Sequence, residues 1–169
     1  MTQINEYINE IICGDNVEVL REFPDECIDL TVTSPPYDNL RTYNGFDWDF
    51  EALAKELYRV TKRGGVVVWV VNDATINGSE TLTSFKQALF FKEIGFNVHD
   101  TMIWRKTNPI PNDPRQNRYI QSFEYMFVFS KGKPKTCNYL TEKTKMGGIV
   151  AGQGTARRQD GTIRMDRIE

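Results

Sequence analysis

The sequence predicts an α/β fold, an open sheet with helices packed on both faces. Three observations predict it. Strand-length and helix-length apolar patterns alternate along the first 130 residues. The run 66–71 is apolar at every position, which suits a central strand covered on both sides. A rigid Ser34-Pro35-Pro36 stop directly follows a β-branched strand, at the kind of edge where such sheets place their ligands.

The elements follow in order. Residues 8–13 form a short apolar run that reads as a strand ending at Gly14-Asp15. Asn16 can cap a helix through about residue 22, with Val17, Val19, Leu20 and Phe23 on its apolar side. Residues 27–33 (CIDLTVT) are a β-branched strand. Asp49 opens a helix with Phe50, Leu53, Leu57 and Val60 at helical spacing, closing at Gly64-Gly65. After the 66–71 strand, a polar loop over 72–80 leads into a helix around 82–94, ended by Gly95. Residues 96–105 and 123–130 are two further strands. Beyond the basic turn 131–135 the apolar periodicity fades, and 143–169 is polar, Gly-rich and basic. The expected division is therefore a main part over 1–132 and a loop-rich basic region over 133–169.

Composition narrows the class. A chain of 169 residues with 40% hydrophobic and 26% charged residues is one ordinary globular domain, neither a disordered tail nor a disulfide scaffold. Six residues is far short of a membrane span, and the N-terminus lacks a signal-peptide pattern. Three scattered cysteines (Cys13, Cys27, Cys137) and one histidine offer no zinc spacing. The expectation is a cytoplasmic, metal-free protein that stays off the membrane. The net charge of −2 hides an asymmetry: residues 1–100 hold 8 Lys/Arg against 17 Asp/Glu, residues 101–169 hold 13 against 6. A basic segment on an acidic body fits a nucleic-acid-binding flank; a solvated polar surface is the alternative.

Thr33-Ser34-Pro35-Pro36-Tyr37 carries the most chemistry. Two prolines fix φ twice and remove two backbone donors, and Ser34 is pushed towards an extended backbone. The loop presents carbonyls and a hydroxyl as acceptors beside an aromatic face. That set suits an exocyclic amino group on a flat ring; a purely structural Pro-Pro loop is the alternative.

The stretch resembles the catalytic loop, (D/N/S)-P-P-(Y/F/W), of amino-group DNA methyltransferases that use S-adenosylmethionine. The Ser form is similar to that of cytosine-N4 enzymes, whereas adenine-N6 enzymes more often carry Asp. Further resemblances lie in Ile12-Cys13-Gly14-Asp15, Phe23-Pro24-Asp25, the Gly64-Gly65 turn before 66–71, and Glu124–Lys131 (EYMFVFSK), together covering about residues 8–132. The resemblance implies a Rossmann-like methyltransferase fold. It implies that Ser34 and the Pro35 carbonyl accept from the target amino group and that Tyr37 stacks on a flipped base, with Pro36 a further member of the catalytic loop. Asp15 matches a position near the adenine end of the cofactor. Asp73, at the end of the central strand, is a second candidate for cofactor contact. Arg41, in the loop beyond Tyr37, and Arg105, Lys106, Arg115 and Arg118 are candidate contacts to DNA phosphate. No cysteine follows a proline in the manner of the cytosine-C5 enzymes.

The family's glycine-rich cofactor signature is not found before Ser34, where only 33 residues stand. The pattern is similar to that of the permuted class, in which the catalytic region precedes the cofactor glycines, and Gly152-Gln153-Gly154-Thr155 lacks the residues expected around that turn. The expectation is the N-terminal part of a longer enzyme acting on double-stranded DNA. A split or non-catalytic DNA-binding remnant is the alternative, and an adenine-N6 enzyme the other. A second copy of the chain and a cognate restriction endonuclease are the expected candidate partners.

Overall fold

The structure is a computed structural model, describing residues 4–37, 48–111, 115 and 117–138, with the backbone of Ala156–Arg157 and Ile163–Arg164. The chain divides into two compact units, Met1–Cys137 and Asn138–Glu169.

The first unit begins with a 3₁₀ turn, Ile4–Tyr7, and α1, Asn16–Glu22. Asp15, not Asn16, is the cap: its Oδ1 accepts from the N–H groups of Val17 and Glu18, both at 3.0 Å. Strand β1 is Ile28–Thr33. Helix α2, Phe50–Val60, is capped by Asp49, whose side chain accepts from Ala52 N–H at 3.0 Å. It ends four residues before the glycines, because Thr61 turns its hydroxyl back onto the Leu57 carbonyl at 2.6 Å and its backbone is already extended. Strand β2 therefore runs from Thr61 to Val71. Gly65 is required there for close approach: a Cβ would lie 3.0 Å from the Asp29 carbonyl oxygen of β1 and 2.9 Å from the Lys62 oxygen.

The expected polar loop contains a small hairpin, β3 (Thr75–Ile76) and β4 (Ser79–Glu80). It turns on Asn77-Gly78, both at positive φ, the pair that two-residue hairpin turns favour. Helix α3, Thr83–Glu93, follows, then β5 (Asn97–Arg105) and β6 (Phe123–Ser130).

The sheet order is β1-β2-β6-β5, with β1 and β2 parallel and the remaining pairs antiparallel. One core joins Val17, Leu53 and Leu57 with Val67, Trp69 and Val71, then Phe91, Phe96, Phe127 and Phe129. Phe91 and Phe129 stack with centroids 4.4 Å apart. The Arg59 guanidinium on α2 donates to the carbonyls of Leu20 and Phe23 and to Asp25 and Glu56, pinning the turn that leads into β1. The described helices cover one sheet face; on the other, Leu30 and Val32 are more than half exposed.

The strand expected over 8–13 does not form. Residues 8–14 are irregular, and Ile11 is 99% exposed. A strand needs a neighbour, and β1, at the end of the sheet, pairs only with β2 among the described residues. In the second unit β7 (Ala156–Arg157) pairs antiparallel with β8 (Ile163–Arg164). No described helix is long and apolar enough to cross a membrane.

Candidate active site at the sheet edge

Mixed topology gathers the site. β1 and β2 run in parallel and β6 opposes them, so the C-terminal ends of β1, β2 and β5 share an edge with the N-terminal end of β6. Ser34, Pro35, Pro36 and Tyr37 leave β1 at that edge, with Pro35 buried, Ser34 exposed and Tyr37 half-buried against the core. The Ser34 hydroxyl lies 2.6 Å from the Tyr37 hydroxyl. The Tyr37 hydroxyl donates to Glu124 Oε2 at 2.8 Å. Glu124 Oε1 pairs with Lys106 Nζ at 2.8 Å, and the Lys106 backbone N–H is fixed on the Ser122 carbonyl at 2.8 Å.

Beside this chain of bonds, Asn72 Oδ1 accepts from Gln121 Nε2 at 3.3 Å. Asp73 spends both carboxylate oxygens on Ser84, accepting from its N–H at 2.8 Å and its hydroxyl at 2.6 Å. It thereby caps α3 from across the loop, where Leu82, at the N-cap position with φ 56°, offers no side-chain bond. A cavity of about 510 Å³ opens beside these groups, lined by Asn72, Asp73, Lys106, Asn108, Arg118 and Tyr119 among others. Tyr125 nearby has its phenol pKa pushed up, first by burial and then by the Asp73 and Glu80 carboxylates.

The remaining expected residues divide. Arg118 donates to the Gly78 carbonyl and pairs with Glu80 at 3.6 Å, so it braces the β3–β4 hairpin at the cavity rim. Arg105 is exposed at the end of β5, and Arg115 is exposed in the segment beyond it. Asp15 caps α1 through its side chain, away from the Ser34 loop's own bonds. Arg41 and residues 152–155 lie outside the described residues. Glu124 and Gln121 are site residues that sequence reasoning missed. The available signal was Glu124 itself, one acid in the otherwise uncharged FEYMFVFS strand. Among the described residues, no cluster of His, Cys, Asp and Glu could hold a metal ion.

The mixed α/β sheet thus carries an acceptor-rich Pro-Pro-aromatic loop at the edge where open α/β sheets bind their ligands. The model of the N6/N4 DNA methylase family matches residues 28–149, and the chain belongs to that family. It is 60% identical over 136 residues to the orphan methyltransferase M.BamHII of Bacillus amyloliquefaciens, covering 79% of this chain and 51% of that one. It is 31% identical over 165 residues to the type II methyltransferase M.HinfI of Haemophilus influenzae, covering 83% and 44%. Among solved structures, the cytosine-N4-specific PvuII DNA methyltransferase superposes with a TM-score of 0.61 at 27% identity, covering 72% of this chain and 49% of that one. TTHA0409 of Thermus thermophilus, solved in complex with S-adenosyl-L-methionine, gives 0.55 at 27% identity, covering 76% and 57%. The chain thus spans about half the length of the relatives it matches.

Proposed function

We propose that this chain carries the catalytic loop of an S-adenosylmethionine-dependent DNA methyltransferase acting on the exocyclic amino group of a flipped-out base, cytosine N4 in the first instance. The observation that carries the reading is the Ser34–Tyr37 loop held at the ligand edge of the sheet. Ser34 and the Pro35 carbonyl accept the amino N–H bonds, and the Tyr37 ring offers a stacking face for an extruded base. Acceptors matter because the amino lone pair is delocalised into the ring and must be recovered as the nitrogen reacts. When bound, the cofactor supplies an electrophilic methyl group on sulfonium.

The residues of this chain fit one part of a cofactor site. Asp15 is exposed and can accept from an adenine amino group, whereas Asp73 is committed to Ser84. In the sequence, Gly152-Gln153-Gly154-Thr155 lacks the Asp-Pro-Phe expected before a cofactor turn, so titration of this chain with S-adenosylmethionine is expected to show weak binding. The residues 133–169 are read as the start of a basic recognition region for double-stranded DNA, with Arg105, Arg115 and Arg118 as candidate phosphate contacts.

The Ser34 form of the loop and the likeness to a cytosine-N4-specific enzyme support cytosine over adenine. The test is methyl transfer from labelled cofactor to duplex DNA by the full-length protein, followed by mass analysis of the nucleosides. N4-methylcytosine is expected, and N6-methyladenine alone overturns the choice of base. Ser34→Ala is expected to lower turnover by about 10²-fold, the scale of one transition-state hydrogen bond.

A further inference from the structure

The bonds that hold the Ser34 loop have a direction. A carboxylate paired with a lysine can only accept, and Glu124, with its residue 8% exposed, spends Oε1 on Lys106 and Oε2 on the Tyr37 hydroxyl. Tyr37 has one hydroxyl proton, and it points at Glu124. The phenol oxygen must then act as acceptor towards Ser34, 2.6 Å away, so the Ser34 proton points at Tyr37. What Ser34 presents outward is lone pairs alone.

A free serine hydroxyl rotates and serves equally as donor or acceptor. Beside an aromatic amine a donated O–H competes for the nitrogen lone pair that the reaction needs. We propose that Glu124 is a positioning residue which, through Tyr37, locks Ser34 as an acceptor for the amino group and lends it part of a carboxylate's charge. This rests on the amino-methylation reading above. It also accounts for how a serine can stand where related loops carry an aspartate: the charge sits two hydrogen bonds away, on β6, rather than on the loop. Bonds to ionised groups are roughly twice as strong as neutral ones, and a chain of bonds polarises along its length.

The experiment compares wild type, Glu124→Gln, Tyr37→Phe, the double variant, and Ser34→Asp on the Glu124→Gln background, all in the full-length protein. Glu124→Gln keeps the shape but frees the direction of the chain. It is expected to lower kcat about tenfold with the KM for DNA and for cofactor unchanged. Tyr37→Phe should do the same, the double variant should be no worse than either single one, and Ser34→Asp should restore most of the lost kcat by carrying the charge itself. Independent additive losses, an unchanged kcat in Glu124→Gln, or a loss that follows thermal unfolding and is not rescued by aspartate overturns the assignment. A second readout needs no turnover: the Tyr37 ¹³Cζ resonance is expected to move in both Glu124→Gln and Ser34→Ala. A resonance that ignores either change overturns the chain. A responsive resonance in a protein that methylates no base overturns the reading of function instead.

Discussion

Strands β1 and β2 lie side by side in parallel and are both rich in β-branched residues, yet they meet different surroundings. In β2, Val67, Trp69 and Val71 are at most 1% exposed, packed under α2 and α3. On the opposite face Leu30 and Val32 of β1 are 58% and 65% exposed, while their β2 neighbours Val66 and Val68 are half-buried. The core-facing Thr31 and Thr33 of β1 are only half-buried, and one edge of β1 is unpaired among the described residues. A β-branched sequence therefore specifies a strand but not its depth; depth comes from what covers it. The Ser34–Tyr37 loop grows out of the less covered strand, and its rigidity comes from prolines and from the bond across to β6 rather than from burial of β1 itself.

The sharpest way to break this comparison is a pair of truncations. Trp69→Ala empties a fully buried site and strands the Gln87 oxygen that Trp69 Nε1 contacts at 2.9 Å; a loss of about 3–5 kcal/mol is expected in urea denaturation. Val32→Ser, on the exposed face, is expected to stay within about 0.5 kcal/mol. Equal costs would mean that the β1 face is covered in solution. Next in size is Gly65→Ala, which drives a Cβ against backbone oxygens of both strands and is expected to cost about 1–3 kcal/mol by forcing β1 from β2. Asp73→Ala removes the cap of α3 and is expected to cost about 1 kcal/mol, with the loss of helicity confined to 83–93 by amide exchange.

An exposed strand edge with apolar side chains invites pairing between copies. Concentration-dependent sedimentation of this chain is expected, and Val32→Lys is expected to suppress it without loss of stability. The smallest effect is at alkaline pH. The raised phenol pKa of Tyr125 means the folded state holds that proton more tightly than the unfolded one. The stabilisation is complete below about pH 10 and is lost as pH rises through the folded value, so Tyr125→Phe should flatten that limb of the stability profile.

Much of this was legible in the sequence. The period of Phe50, Leu53 and Leu57 located α2, the unbroken apolar run 66–71 located β2, and the two prolines marked the loop that leaves β1. The 8–13 segment misled because an apolar run reports burial only when a partner strand exists, and none of the described strands lies beside it. Asn77-Gly78 marked a hairpin that the polarity of its surroundings concealed. Glu124 was hidden for a different reason: its hydrogen-bond partner is a phenol 87 positions earlier, and no local pattern encodes such a pairing.

That separation also has a consequence in time. The β3–β4 hairpin closes within a few residues, but the Tyr37–Glu124 bond must close a loop of 87. On a ribosome adding about 5–20 residues per second, Tyr37 waits roughly 4–17 s before Glu124 has been synthesised. A nascent chain can therefore fold α1, β1 and α2 while its Ser34–Tyr37 loop still has no anchor. The loop reaches its final geometry only after β6 has emerged and docked.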